Sequence, residues 1–251
     1  MISDFFGGFR YVLRGFGLMN QPGLRRYVLA PLAINVLLFS LGLWYLGSQF
    51  EALLSWMLPE WLDWARWLLW PIFAVAALLI VFYTFTLLAN FVGAPFNSLL
   101  AAKLEERLTG QAPPEGGSLR AVMLGLGKSL AGEALKLGYL ALWMIPLLVL
   151  FLIPGLNLLA PLAWFAFGAW MLSIEYADFP MGNHEMYFKQ ERALMRRNKP
   201  LALGFGAGLM LMTLVPVLNF LAMPVGVTGA TALWAERLKN QAASPPSGSG
   251  D

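Results

Sequence analysis

The stretch "QPGLRRY" places a proline, a glycine and two adjacent arginines directly before a long apolar segment. Pro22 suits the first position of a helix, so the first helical turn is predicted to contain Gly23, Leu24, Arg25 and Arg26. The N–H groups of a first turn and the positive end of the helix dipole attract anions, and guanidinium groups add donors that fit tetrahedral oxyanions. The stretch therefore predicts an anion-binding site. Positive-inside anchoring of the apolar segment is the alternative role for both arginines.

A second group of polar residues lies around the end of a later apolar segment. Asn90 and Asn97 flank a Gly-Ala-Pro break, and Glu105, Glu106 and Arg107 follow it. Polar side chains at the end of a membrane span often line an aqueous path. We therefore expect these residues to border a path for ions. Solvated surface charge is the alternative for Glu105 and Glu106.

His184 is the single histidine of the chain. It opens "HEMYF", which lacks the second histidine of a zinc-peptidase motif because Phe188 stands there. The "GLGKS" stretch lacks the first glycine of a phosphate-binding loop because Val122 stands in that position. No catalytic residue, metal site or cofactor is predicted, and the chain is not expected to be an enzyme. His184 can titrate near physiological pH, so it is a candidate gating group. The alternative is a cap or an interface residue.

The composition predicts a membrane protein. Of 251 residues, 59% are hydrophobic and 12% are charged, whereas soluble domains carry about 25% charged residues. Residues 27–50 and 67–96 contain no charge, and each run is long enough to cross a hydrocarbon core about 30 Å thick. We expect two full transmembrane helices there. The segment before residue 27 is predicted to be an amphipathic interfacial helix.

Two further uncharged runs, 138–174 and 201–235, each carry the pattern Pro-x-Leu-Asn near the middle. Their lengths of 37 and 35 residues are marginal for two crossings of about 20 residues each. Proline breaks a helix and asparagine suits a turn, so each run is predicted to form a partly penetrating helical hairpin. Ordinary pairs of full-length helices are the alternative. The residues expected at the hairpin tips are Pro154, Asn157, Pro216 and Asn219.

These elements predict an all-α integral membrane protein with one membrane domain over 1–240 and a disordered tail over 241–251. If the N-terminus is cytoplasmic, every one of the 17 Lys and Arg residues except Arg66 lies on the cytoplasmic side. That distribution agrees with the positive-inside rule. The net charge of +3 is explained by membrane orientation, so no nucleic-acid partner is expected.

Several stretches, in the same order, resemble the CysZ family of bacterial sulfate permeases: "NQPGLRRY", "NFVGAPFNSLLAAKLEERLTG", "DFPMGNHEMYF", "PGLNLLAP" and "PVLNFLAMP". The resemblance covers about 5–239. It implies an inner-membrane protein with two long spans and two partly penetrating hairpins. It also implies assembly into oligomers, and we expect homo-oligomers in the lipid bilayer.

The resemblance further implies sulfate uptake for cysteine biosynthesis, with sulfite as a related oxyanion. The implied oxyanion site is Gly23, Arg25 and Arg26. Candidates for the inner path are Asn35, Asn90, Glu105, Glu106, Arg107 and His184. The sequence does not decide between a channel and a proton-coupled carrier. The alternatives to transport are a non-catalytic membrane assembly or regulatory protein, and an enzyme acting on lipid head groups.

Overall fold

A computed structural model describes residues 1–57, 66–114 and 119–243. Within these ranges every regular element is a helix, so the all-α prediction is confirmed. The α-helices are α1 (Ile2–Met19), α2 (Arg25–Met57), α3 (Arg66–Thr109), α4 (Leu119–Leu152), α5 (Ala160–Gly182), α6 (Phe188–Arg197), α7 (Lys199–Thr213), α8 (Pro216–Leu233) and α9 (Lys239–Ala243). A 3₁₀ turn, Leu156–Leu159, precedes α5, and a π-helical turn, Trp234–Leu238, joins α8 to α9. Residues 241–243 of the expected tail belong to α9, and 244–251 lie outside the described residues.

The third helix does not break where the sequence suggested. It runs through both Pro71 and Pro95, so the Gly-Ala-Pro stretch is helical and the prediction of a break there is wrong. A proline removes one backbone hydrogen bond and crowds the preceding turn. The turns after Pro95 stay helical because they are packed on the core through Leu100 and Leu104, which are both fully buried.

Among the residues that the structure describes, four helical segments are long and apolar enough to cross a membrane: Arg25–Gln49, Ala131–Leu152, Leu156–Gly182 and Pro216–Ala242. In the first of them, none of the most apolar window is buried by the protein, as expected for a helix that faces lipid. Helices α4 and α5 form the first predicted hairpin, and α7 and α8 form the second. Both arms of the first hairpin are long enough to span, whereas α7 has only 15 residues. The depth of the hairpins stays a prediction.

The chain divides into two compact units. One is Leu29–Phe96, and the other combines Met1–Val28 with Asn97–Asp251. In the second unit, α1 packs on α7 and α8, and α5 packs on the same two helices. Phe205, Leu209 and Val225 are fully buried in this core. The core thus joins the N-terminal helix to both hairpins.

Candidate functional site

The loop between α1 and α2 is a tight turn that corrects the predicted start of α2. The helix begins at Arg25 rather than at Pro22, because Gly23 has a φ of 84°, which a right-handed helix does not allow. The amide of Leu24 closes the turn by donating to the carbonyl oxygen three residues earlier, at 3.1 Å. Arg25 and Arg26 therefore occupy the first turn of α2, where N–H groups have no intrahelical acceptor.

In this turn Leu24 is buried, whereas Pro22, Gly23, Arg25 and Arg26 are exposed. Leu24 is fully buried in the core, so it anchors the loop and presents only backbone atoms to a ligand. The Nε of Arg25 donates to the carbonyl oxygen of Asn20 at 2.7 Å. The guanidinium of Arg26 donates to the hydroxyl of Tyr27 at 3.0 Å and lies 4.9 Å from the centroid of the same ring. Both arginines are exposed and oriented by neutral partners, so their positive charge remains available to an anion.

Arg107 reaches the same turn from the last turn of α3. A Cβ atom built on Gly23 would lie 2.6 Å from its Nη2, so the Arg107 guanidinium packs directly against the glycine backbone. Gly23 is required here for its backbone conformation and for this close approach. The structure thus adds Arg107, predicted only as part of the inner path, to the cationic loop formed by Gly23, Arg25 and Arg26.

Glu105, two residues before Arg107 on α3, forms a second, buried centre. Its carboxylate is fully buried, and its Oε1 lies 2.8 Å from His184 Nε2 and 2.9 Å from Lys239 Nζ. Its Oε2 has no hydrogen-bond donor among the residues that the structure describes. Burial alone would raise the pKa of Glu105, but the hydrogen bonds and charges of His184 and Lys239 outweigh it and lower the pKa overall. Glu105 is therefore held as a carboxylate.

The turn after α5 positions His184 against this carboxylate. Asn183 donates from Nδ2 to the carbonyl oxygen of Ser98 at 3.0 Å, which ties the turn to α3. The imidazole of His184 also lies against the indole of Trp234, with ring centroids 5.1 Å apart. Trp234 is buried, and its Nε1 has no acceptor in the described part of the chain. His184 thus contacts two buried residues that each have an unpaired polar atom: the donor Nε1 of Trp234 and the acceptor Oε2 of Glu105.

The other path candidates are in separate local environments along the chain. Asn97 is buried, whereas Glu106 pairs with Lys103 at 2.7 Å on the partly exposed side of α3. Asn35 lies in the other compact unit, and its buried Oδ1 has no donor among the described residues. The backbone of Asn90 is helical, but its side chain lies outside the described residues.

The four hairpin-tip residues lie where the hairpin helices meet. Pro154 is in the turn between α4 and α5, and Asn157 is in the 3₁₀ turn that follows. Pro216 is the first residue of α8, and Asn219 lies in the first turn of that helix. All four are exposed, and their relation to a path stays a prediction.

Two residues of the buried centre had no signal in the sequence. Lys239 follows the last apolar run and looks like an ordinary anchoring cation, and Trp234 looks like one more apolar residue of α8. The π-helical turn between them adds a residue to one helical turn. That irregularity cannot be read from hydrophobic periodicity.

In the described residues, no group of three or more His, Cys, Asp or Glu side chains could hold a metal ion.

The fold and these two centres define a multi-pass helical membrane protein with a cationic loop beside a buried carboxylate. A family model described as "Sulfate transporter CysZ/Etoposide-induced protein 2.4" matches residues 11–224. Proteins named sulfate transporter CysZ from Salmonella paratyphi A and Salmonella typhi are each 43% identical over 233 residues, covering 91% of this chain and 92% of the relative. The chain therefore belongs to this family, which confirms the resemblance seen in the motifs. The name of the family is that of a transporter and not of an enzyme.

Proposed function

We propose that the chain carries sulfate across the bacterial inner membrane, as a permease or channel that supplies sulfur for cysteine biosynthesis. The observation that carries the proposal is the contact of the Arg107 guanidinium with Gly23, directly before the exposed Arg25 and Arg26 at the start of α2, in a chain whose relatives are named sulfate transporters. Sulfate is a dianion, so it cannot enter lipid without a protein path. A cationic loop at the end of a membrane helix meets the first requirement of such a path.

The proposed binding loop uses backbone and side chains together. The absence of a side chain at Gly23 lets the Arg107 guanidinium lie against the turn that precedes α2, and the N–H groups at the start of that helix favour an anion. The guanidinium groups of Arg25, Arg26 and Arg107 supply charge-assisted hydrogen bonds to its oxygens. Because these side chains are exposed, they attract the anion without enclosing it. A path needs sites that an ion can leave, and an open loop satisfies that requirement.

Beyond the loop, the proposed path includes the buried centre at Glu105. Its carboxylate neutralises Lys239 and orients His184, so Lys239 does not form a permanent trap for a dianion. The other residues proposed along the path are Asn35, Asn90, Asn97 and Glu106. The hairpin tips at Pro154, Asn157, Pro216 and Asn219 are proposed to approach it from within the membrane.

The proposal also includes a cytoplasmic N-terminus and assembly into a homo-oligomer. The orientation is supported by the distribution of lysine and arginine. Sulfite has the negative charge and the acceptor oxygens that the same loop would bind, so we expect it to compete with sulfate.

The test is uptake of labelled sulfate into liposomes that hold the purified full-length chain. We compare the wild type with the double variant Arg25→Ala/Arg26→Ala. A hydrogen bond to a charged group contributes about 1.5–3 kcal/mol, so each lost guanidinium is expected to weaken sulfate binding about tenfold or more. The matched control is Arg196→Ala/Arg197→Ala, which removes two adjacent exposed arginines at the end of α6.

Uptake by the wild type and by the control variant, with loss in the Arg25/Arg26 variant, supports the function and the site together. Equal uptake by all three proteins refutes the site but not the function. A folded wild-type protein that passes no sulfate under a sulfate gradient or a proton gradient refutes the function.

A further inference from the structure

A second buried charge cluster lies where α4, α5 and α6 meet, and the proposed function does not use it. At its centre is Lys136, whose side chain is only 6% exposed. Its ammonium group lies 2.8 Å from Glu133, 2.9 Å from Glu175 and 3.1 Å from Asp178. An ammonium group has three N–H donors, so the three carboxylates use all of them.

Glu191, in the first turn of α6, is the fourth acid of this cluster. It is fully buried and lines the same small cavity as Glu133, Lys136 and Asp178. Neither of its carboxylate oxygens has a hydrogen-bond donor among the residues that the structure describes. It is therefore a buried acid whose neighbours offer it no donor.

The charges on the elements packed against α6 do not favour a carboxylate at this position. Three carboxylates and one ammonium leave the cluster with two net negative charges before Glu191 is counted. On α6 itself, the guanidinium of Arg192 lies over two aromatic rings rather than beside a carboxylate of the described residues. Its Cζ is 5.0 Å from the ring centroid of Tyr139 and 5.6 Å from that of Phe188. The charged groups to be considered are Glu133 and Lys136 on α4, Glu175 and Asp178 on α5, Lys189, Arg192, Arg196 and Arg197 on α6, and Lys199 on α7.

We infer that Glu191 is a proton-binding site of this chain. In the packed arrangement of α4, α5 and α6 its side chain is a neutral carboxylic acid, and the bound proton makes it a donor to the neighbouring Asp178 carboxylate. The inference does not depend on sulfate being the substrate.

The electrostatics of the site agree with this geometry. Burial, followed by the charge of Asp178 and a hydrogen bond to it, raises the pKa of Glu191 to about 10. Glu105 is equally buried, but His184 and Lys239 supply donors and its pKa is lowered. Of these two buried acids, Glu191 is therefore the one that holds a proton at neutral pH.

The direct test is infrared spectroscopy of the full-length protein at neutral pH in a detergent without ester groups, where a protonated carboxyl group absorbs apart from carboxylates. The wild type is expected to show this band, and Glu191→Gln is expected to lose it. The control is Glu175→Gln, which removes another acid of the cluster whose side chain is 48% exposed and already pairs with Lys136. That variant is expected to keep the band.

Thermal unfolding across pH gives a second readout. A raised pKa in the folded state means that Glu191 contributes full stability below its ordinary pKa of 4.5 and loses that contribution as pH rises through about 10. The melting temperature of Glu191→Gln, relative to wild type, is therefore expected to increase steadily over that range.

The inference is overturned if the wild type lacks a protonated-carboxyl band at neutral pH, a result that needs no variant to fold. It is also overturned if the band survives in Glu191→Gln. A melting-temperature difference between wild type and Glu191→Gln that stays constant with pH contradicts it as well.

Discussion

At the scale of single residues, two separate features of the structure require glycine at position 23. Its φ of 84° favours glycine, and the guanidinium of Arg107 occupies the space that a side chain would need. Gly110 shares only the first constraint, because its φ is 74° and nothing lies near a Cβ atom built there. The two glycines therefore allow the strain of the turn to be separated from the contact with Arg107.

We predict that Gly23→Ala weakens sulfate binding severalfold because it displaces Arg107 from the loop. Gly110→Ala is expected to cost about the same left-handed strain, about 1–2 kcal/mol, without affecting sulfate. Binding of labelled sulfate to the purified proteins, together with their melting temperatures, checks both expectations. Unchanged binding in Gly23→Ala would mean that Arg107 takes no part in the site.

Protonation of Glu105 is expected to lower the stability of the folded protein in acid. A lowered pKa means that its contribution to stability is present above its ordinary value of 4.5 and is lost as pH falls through the lower folded-state value. Glu105→Gln removes the charge that pairs with His184 and Lys239, and we expect a loss of about 1–3 kcal/mol at neutral pH. The difference from wild type should shrink in acid, as measured by thermal unfolding from neutral pH downward.

Glu106→Gln is the matched control for that measurement. Its partner is Lys103 three residues earlier, and both side chains are partly exposed to solvent. Pairs of this kind contribute about 0–1 kcal/mol. A pH-independent effect of Glu105→Gln, or an equal effect of Glu106→Gln, would contradict the assigned role of the buried carboxylate.

At the scale of helices, the "GFGAG" stretch of α7 serves two interfaces. Gly204 and Gly208 face α1, where they meet Phe5 and Val12, and Gly206 faces α5 at Ala169. A Cβ atom on Gly204 would collide with the backbone of Phe5. Small residues of this kind let helix backbones approach closely in a membrane protein.

We predict that Gly204→Ala destabilises the folded protein by about 1–3 kcal/mol, because α1 must move away from α7. Gly138→Ala is the control, since a Cβ atom there meets nothing within 4 Å. Alanine favours a helix over glycine by up to about 1 kcal/mol, so that variant is expected to be neutral or slightly more stable. Thermal unfolding in detergent distinguishes the two. Equal stability would show that α1 does not pack on α7 through its backbone.

At the scale of the whole molecule, the distribution of lysine and arginine predicts a single orientation. The chain contains no cysteine, so one introduced cysteine can report the side on which it lies. Trp56→Cys, at an exposed position near the end of α2, is expected to react with an impermeant maleimide added outside the cell. Gln111→Cys, exposed after α3, is expected to react only after the membrane is permeabilised. Reaction of Gln111→Cys from outside would contradict a cytoplasmic position for this loop.

The sequence alone determined the features that depend on neighbouring residues. Uncharged runs longer than about 20 residues predict membrane helices, and the Pro-x-Leu-Asn repeats predicted where 138–174 and 201–235 turn. The "QPGLRR" stretch indicated Gly23, Arg25 and Arg26 because their chemistry is local. Even so, the start of α2 and the continuity of α3 through Pro95 were predicted wrongly, because turn conformation and core packing overrode the preference of proline.

Only the tertiary structure decided which distant charges meet. Lys239 reaches Glu105 across 134 positions of the chain, and Arg107 reaches the Gly23 turn from another helix. Glu191 looks like one more charge on a polar ten-residue helix until the packing of α4 and α5 buries it. These contacts depend on how helices pack and rotate against each other, and hydrophobic periodicity within a single segment does not encode that arrangement.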